Sequence, residues 1–157
     1  MMIRELQIID LDRVYEIEKE AFKNPYEKNM LQFLYDIGTG FLVAEEKKLI
    51  VGYIIFSLKE ENQGNIISIA VDRKFRNQNV GSALIQMAID VLKKFDVEKI
   101  CLEAKSSKHE VINFYKKLGF KKKEILKNYY EDGSDGVSMY LKNRLIKKYP
   151  DEYKYDG

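Results

Sequence analysis

Two spacings of apolar residues run through this 157-residue chain. Recurrence at three and four residues predicts amphipathic helices, and alternation or a short continuous apolar run predicts strands. Residues 2–8 read as a strand. Asp10 has the character of an N-cap, and Leu11, Val14, Ile17 and Ala21 carry a helix to about Phe22. Asn24-Pro25 then suggests a restart, with Asn as cap, Pro at the first helical position and Glu27 at the third, opening a short helix to about Ile37 that Gly38 and Gly40 end. Residues 41–46 and 49–58 are β-rich runs divided by Lys47-Lys48, a hairpin signal. Gln63-Gly64-Asn65 reads as a turn into a strand over 66–71. Val80, Leu84, Met87, Ala88, Val91, Leu92 and Phe95 mark one face of a long helix. A strand over 99–104 follows, and Ser107-Lys108-His109-Glu110 has the form of a capping box. Val111, Phe114, Tyr115 and Leu118 line the next helix, which Gly119 ends. Residues 120–128 and 137–141 are the last strands. The order β-α-α-β-β-β-α-β-α-β-β predicts an α/β (α+β) fold, a mixed sheet with helices on both faces.

Composition narrows the class. The length suits one domain that buries roughly 68–70% of its unfolded surface. We expect that domain over 1–142, with a polar C-terminal tail over 143–157. Twenty-seven Lys and Arg stand against twenty-five Asp and Glu, a net charge of +2, which disfavours nucleic-acid binding through bulk charge. Cys101 is the single cysteine, so no intramolecular disulfide forms, and with one histidine no His/Cys zinc site can be built. No metal is expected. No apolar run is long enough for a transmembrane helix, and the first residues lack the pattern of a secretory signal, so a cytoplasmic location is expected. Charge is uneven: residues 105–130 carry eight lysines against Glu110 and Glu124. That segment either attracts an anionic ligand or is a solvated lysine face.

The junction Val71-Asp72-Arg73-Lys74-Phe75-Arg76-Asn77-Gln78-Asn79-Val80-Gly81-Ser82 takes a buried strand through a polar loop into a long helix. Free N–H groups and the dipole at a helix start favour phosphate anions. Asn79 enters positive φ more readily than most residues, and Gly81 lets a ligand approach the backbone. A Walker loop is excluded because Gly-Lys-Ser/Thr is absent, and a dinucleotide fingerprint because it needs three glycines. Chemistry alone leaves an ordinary polar loop open. The pattern Arg76-x-x-Asn79-x-Gly81-Ser82-Ala83, however, resembles the acyl-coenzyme A pyrophosphate loop of the GNAT superfamily of N-acetyltransferases, with Asn79 standing where the family usually has its first glycine. Asn113-Phe114-Tyr115-Lys116-Lys117-Leu118-Gly119-Phe120 resembles the family's Tyr-x-x-x-Gly-Phe, and the element order matches over about residues 2–142. The implied architecture is a mostly antiparallel sheet of six or seven strands. Leu102–Ser107, Lys127–Gly133 and Ala21–Tyr26 are most similar to RimI-type enzymes, which acetylate protein N-terminal α-amines, classically an alanine on a ribosomal protein.

The resemblance implies roles residue by residue. Acetyl-CoA is the expected cosubstrate, held by Ile69, Ala70, Val71, Arg76, Asn77, Gln78, Asn79, Val80, Gly81, Ser82, Lys108 and Tyr115. Glu103, which alternation places on one strand face with Lys99 and Cys101, is either a solvated carboxylate or, by resemblance, the general base. Tyr115 is a core aromatic that by resemblance also protonates the departing thiolate. Phe22, Pro25, Tyr26, Tyr129 and Tyr130 are implied to surround the acceptor. His109 reads as exposed and Cys101 as a packing residue with no activating partner.

An α-amine of pKa near 8 costs about 1.4 kcal/mol to deprotonate at pH 7, and a lysine near 10.4 about 4.6 kcal/mol. The α-amine is the easier nucleophile, and an ordinary glutamate needs burial or an intervening water to serve it. The expected partners are acetyl-CoA and a protein or peptide N-terminus, a ribosomal protein among them, with no membrane and no direct nucleic acid, in a monomer or homodimer. Other readings stay open at this level: a GNAT enzyme acting on a small amine or a lysine side chain, a non-catalytic acyl-CoA binder, or a basic-patch RNA adaptor.

Overall fold

The computed structural model describes residues 1–60 and 62–142. The expected tail over 143–157 lies outside them. Seven strands and four helices follow in the anticipated order: β1 (Met2–Glu5), α1 (Leu11–Ala21), α2 (Lys28–Asp36), β2 (Gly40–Glu46), β3 (Leu49–Lys59), β4 (Gln63–Val71), α3 (Val80–Lys93), β5 (Lys99–Lys105), α4 (His109–Lys117), β6 (Lys121–Leu126) and β7 (Gly136–Lys142). The strands form one sheet in the order β1-β2-β3-β4-β5-β7-β6. The recorded pairings β1–β2, β2–β3, β5–β7 and β6–β7 are antiparallel, and β4–β5 is parallel. The described residues group into two compact units, the first being 1–57 with 66–91 and the second 58–65 with 92 onward.

In the first unit Ile50–Phe56 of β3 is buried at every position. Continuous burial means that both faces of the strand are covered. Tyr53 and Ile55 share a cluster with Leu11, Val14 and Ile17 of α1 and Leu31 of α2. Gly52, one position out of phase with Tyr53, belongs to the other face, where a Cβ would stand 3.2 Å from both Val80 and Leu84 of α3 and 3.1 Å from the Ala70 carbonyl. Helices therefore cover both sides, as expected. Lys47 and Lys48 both have positive φ, 49° and 68°, the conformation of a type I′ hairpin turn.

In the second unit β5 alternates as predicted, with Ile100, Leu102 and Ala104 buried and Glu103 exposed. Its register runs from Lys99↔Lys142 to Lys105↔Gly136 on β7. Tyr115 of α4 stacks edge-on against Phe114 and Phe120 at 5.2 and 5.5 Å between centroids. Gly119, at φ +102°, ends α4 in the left-handed region that the sequence anticipated.

Several local expectations are corrected. The strand over 2–8 stops at Glu5, and Ile8–Asp10 form a 3-10 turn in which the Asp10 carboxylate accepts the Gln7 N–H at 2.8 Å; Asp10 is the N-cap of α1 as expected, but its side chain makes no bond to that helix. α2 starts at Lys28 with Glu27 as its cap, so Asn24-Pro25 does not open it. Gln63-Gly64-Asn65 is strand, not turn, held by its parallel register with Lys99–Cys101. Met87 on α3 is exposed, as is Phe95, which lies beyond the helix end at Lys93, and the buried face takes in Ile85 and Ile89 instead. Lys108, not Ser107, caps α4; Val111 is exposed, and Ile112 takes the buried position.

Candidate functional site

The strand-to-helix junction of the first unit is built from the Val71 end of β4. Asp72 donates its N–H to the Val51 carbonyl at 2.8 Å, accepts the Lys74 N–H at 2.8 Å on its carboxylate, and pairs with Arg13 of α1. Arg13 also donates to the Ile50 carbonyl at 3.0 Å. This latch joins residues 59 apart in sequence, and nothing in the local pattern announces it. The hydrogen bonds to Asp72 hold its carboxyl below the usual range against the opposing effect of burial.

Beyond the latch, Arg73–Phe75 make one 3-10 turn, and Arg76 folds back to donate Nε to the Val71 carbonyl at 3.1 Å. Asn77 and Asn79 take φ of 61° and 64°. The left-handed Asn79 is the conformation the sequence anticipated, and that of Asn77 was unforeseen. The first closing bond of α3 runs from Ala83 N–H to the Asn79 carbonyl at 3.1 Å, so the N–H groups of the first turn lie ahead of the helical ladder. Arg76, Asn77, Gln78 and Asn79 are exposed, Gly81 and Ser82 half-buried and Val80 buried. Backbone donors left without a helical partner at the start of a 14-residue helix are groups from which a diphosphate can accept. Ile69 and Val71 are half-buried and Ala70 buried on β4 just before it.

The connector between α1 and α2 carries Phe22, Pro25 and Tyr26. Phe22 packs against the α1–α2 cluster, Pro25 is half-buried and Tyr26 is exposed. The Tyr26 N–H donates at 3.1 Å to Glu18, a buried carboxylate of α1 that the sequence reading passed over. The signal was present: Glu18 stands four residues after Val14 and seven after Leu11, on the apolar stripe.

The second unit holds the remaining candidates in contrasting surroundings. Glu103 stands on the open face of β5 opposite Ser138 of β7. Tyr115 is buried, and burial pushes its phenol well above the ordinary tyrosine range. Cys101 is half-buried; burial raises its thiol against the pull of nearby lysines, so it is no activated nucleophile. His109 is exposed in the first turn of α4, and Lys108 precedes it as cap. Tyr129 and Tyr130 meet edge to face at 5.2 Å. Their loop is braced by Asp132, which accepts from Ser134 N and Oγ at 3.0 and 2.6 Å and from Lys105 Nζ at 3.0 Å. Lys105 also lies 5.5 Å from the Tyr130 ring centroid. Among the described residues no group of His, Cys, Asp and Glu is placed to hold a metal, and no helix is long and apolar enough to cross a membrane.

Comparison with known proteins agrees with this geometry. The Acetyltransferase (GNAT) family matches residues 11–120. An uncharacterised N-acetyltransferase of Methanocaldococcus jannaschii is 36% identical over 146 residues, covering 90% of this chain and 92% of its own. An N-alpha-acetyltransferase of Sulfurisphaera tokodaii is 33% identical, covering 87% and 90%. The ribosomal protein bS18-alanine N-acetyltransferase of Escherichia coli K12 is 32% identical, covering 88% and 95%. The crystal structure of the Escherichia coli ribosomal-protein-S18-alanine enzyme superposes with a TM-score of 0.82 at 28% identity, over 90% of this chain and 92% of that one. With sheet order, loop and family match in agreement, the chain belongs to the GNAT family and is an N-acetyltransferase that draws its acetyl group from acetyl-CoA.

Proposed function

We propose that the acceptor is the N-terminal α-amine of a protein, a ribosomal protein among the candidates, and that the amine attacks the thioester of acetyl-CoA directly. The observation that carries this reading is the likeness, over most of both chains, to enzymes named for N-alpha and ribosomal-protein alanine acetylation. The energetics agree, since an α-amine costs about 3 kcal/mol less to deprotonate at neutral pH than a lysine.

In this proposal the donors of Arg76–Ser82, with Lys108, hold the coenzyme's phosphates. The backbone N–H groups of Ile69–Val71 polarise the thioester carbonyl as its oxygen gains charge. Glu103 removes the amine's proton. Its exposed position favours a route through water over direct contact in a dry pocket. Tyr115, kept protonated by burial, donates to the departing thiolate. Phe22, Pro25, Tyr26, Tyr129 and Tyr130 flank the acceptor's first residues, and the Asp132–Lys105 brace stiffens the tyrosine loop.

The test is a set of peptides beginning Ala, Ser, Thr, Met and Gly, incubated with acetyl-CoA while free thiol is followed, beside the same peptides blocked at the N-terminus and carrying one internal lysine. Turnover with free N-termini and none with the blocked set is expected. Turnover confined to the lysine side chain, or to small amines added alone, overturns the assignment.

A further inference from the structure

Glu18 is a buried carboxylate with no part in the chemistry above. It projects from α1 and is 2% exposed. Its partners are neutral donors: Oε1 accepts from the hydroxyls of Tyr53 on β3 and, at 3.3 Å, Ser68 on β4, while Oε2 accepts the Tyr26 N–H at 3.1 Å. Tyr53 and Ser68 are themselves buried and lie 3.2 Å apart, oxygen to oxygen. Both oxygens are thus engaged, and neither is open to an incoming amine. A carboxylate in a core is costly to desolvate, and an apolar side chain of similar volume often serves stability as well or better. Its distinctive product is the bond to the connector, a three-way junction of α1, β3 and β4 that ends on one backbone N–H of the segment bearing Phe22, Pro25 and Tyr26.

We propose that Glu18 is a positioning residue for the acceptor: through the Tyr26 N–H it fixes the Phe22–Tyr26 segment and so sets how tightly the acceptor's first residues bind, without touching the reacting atoms. The inference rests on the reading of Phe22, Pro25 and Tyr26 as acceptor residues. Glu18 acts on binding rather than on the chemical step, and on the acceptor rather than on acetyl-CoA. Glu18→Leu keeps much of the volume and removes both acceptor oxygens, so the Tyr26 N–H loses its partner while the Tyr53 and Ser68 hydroxyls keep each other. Tyr53→Phe removes a donor from the same carboxylate while leaving the Tyr26 bond, and so separates stability from positioning.

The experiment measures KM and kcat for an accepted peptide and for acetyl-CoA in the wild type and both variants, with Tm and the exchange rate of the Tyr26 amide by NMR. Loss of one hydrogen bond to a charged acceptor corresponds to about a tenfold change. We expect E18L to raise the peptide KM about tenfold, to hold the acetyl-CoA KM within about twofold and to speed Tyr26 exchange about tenfold. Y53F should lower Tm and leave the peptide KM and Tyr26 exchange near wild type. An unchanged peptide KM in E18L, or KM shifts that follow Tm alike in both variants, overturns the proposal. If E18L does not fold, the wild-type Tyr26 amide decides: strong protection relative to Lys23 and Asn24 supports the tether, and its absence overturns it. A wild type that acetylates no peptide defeats the functional reading instead, whereas an active wild type with an unmoved E18L defeats this inference alone.

Discussion

In the proposed mechanism a carboxylate on an open strand face and a phenol sealed among aromatic rings would divide the proton work unequally. Glu103 meets solvent, so water can carry the proton between it and the amine; Tyr115 is shielded, and its proton stays in place across neutral pH. General bases contribute about 10²–10⁴-fold, and one acting through water belongs at the lower end. Glu103→Gln is expected to cut kcat/KM about 100-fold at pH 7 and to make the rate climb more steeply with pH as free amine accumulates. Thiol release followed from pH 6.5 to pH 9, roughly the span around the α-amine pKa, checks this; an unchanged profile removes Glu103 from the mechanism. Tyr115→Phe keeps the ring and its contacts with Phe114 and Phe120. It should therefore lower kcat with acetyl-CoA affinity retained, and equal losses in both would leave Tyr115 a packing residue.

Among the elements, β1 is short and half-exposed, and side chains fasten its far end. Arg4 makes two bonds to Asp10, at 2.8 and 3.1 Å, and one to Glu45 of β2 at 3.1 Å. The Arg4 guanidinium holds the Asp10 carboxyl below its ordinary range, with burial opposing. A depressed native pKa contributes stability that is present above the unfolded value, near 3.9, and is lost as pH falls through the native one. Arg4→Met should cost about 2 kcal/mol at pH 7 and less at pH 3, measured by urea unfolding at both pH values. An equal cost at the two would deny the pair its role. The first two helices also show how far pattern reading reaches. Leu11, Val14 and Ile17 announced α1 because burial of one stripe is a local, periodic demand. The start of α2 was misplaced at Asn24-Pro25, whereas Glu27 is its cap, and the Tyr26 N–H is taken by the distant Glu18 carboxylate, a bond no local rule gives. The left-handed turn ahead of α3 was legible for the opposite reason: the positive φ of Asn79 is a backbone requirement that its own residue type announces. The Arg13–Asp72 latch needs the fold before it exists.

For the molecule as a whole, among the described residues the sheet ends at β1 on one side and β6 on the other. β6 is exposed along nearly its whole length and begins Lys121-Lys122-Lys123. Unpaired strand margins invite other strands, and lysine is a common deterrent. The excess of lysine over 105–130 is read here in part as protection of this margin. Replacing the three by Thr, Val and Thr should favour β structure and make the weight-average mass in sedimentation velocity rise more steeply with concentration than in the wild type. Superimposable concentration series would leave the lysines without that function.

The missing side chain at Gly52 has a consequence of another kind. The clearance there, 3.1–3.2 Å to the Ala70 carbonyl, Val80 and Leu84, lets α3 lie close on β3. In the proposed function the start of that helix offers its N–H groups to the coenzyme, so cradle and floor share one tolerance. A single methyl added beneath the helix is then expected to shift affinity for the acyl donor from a position no substrate reaches.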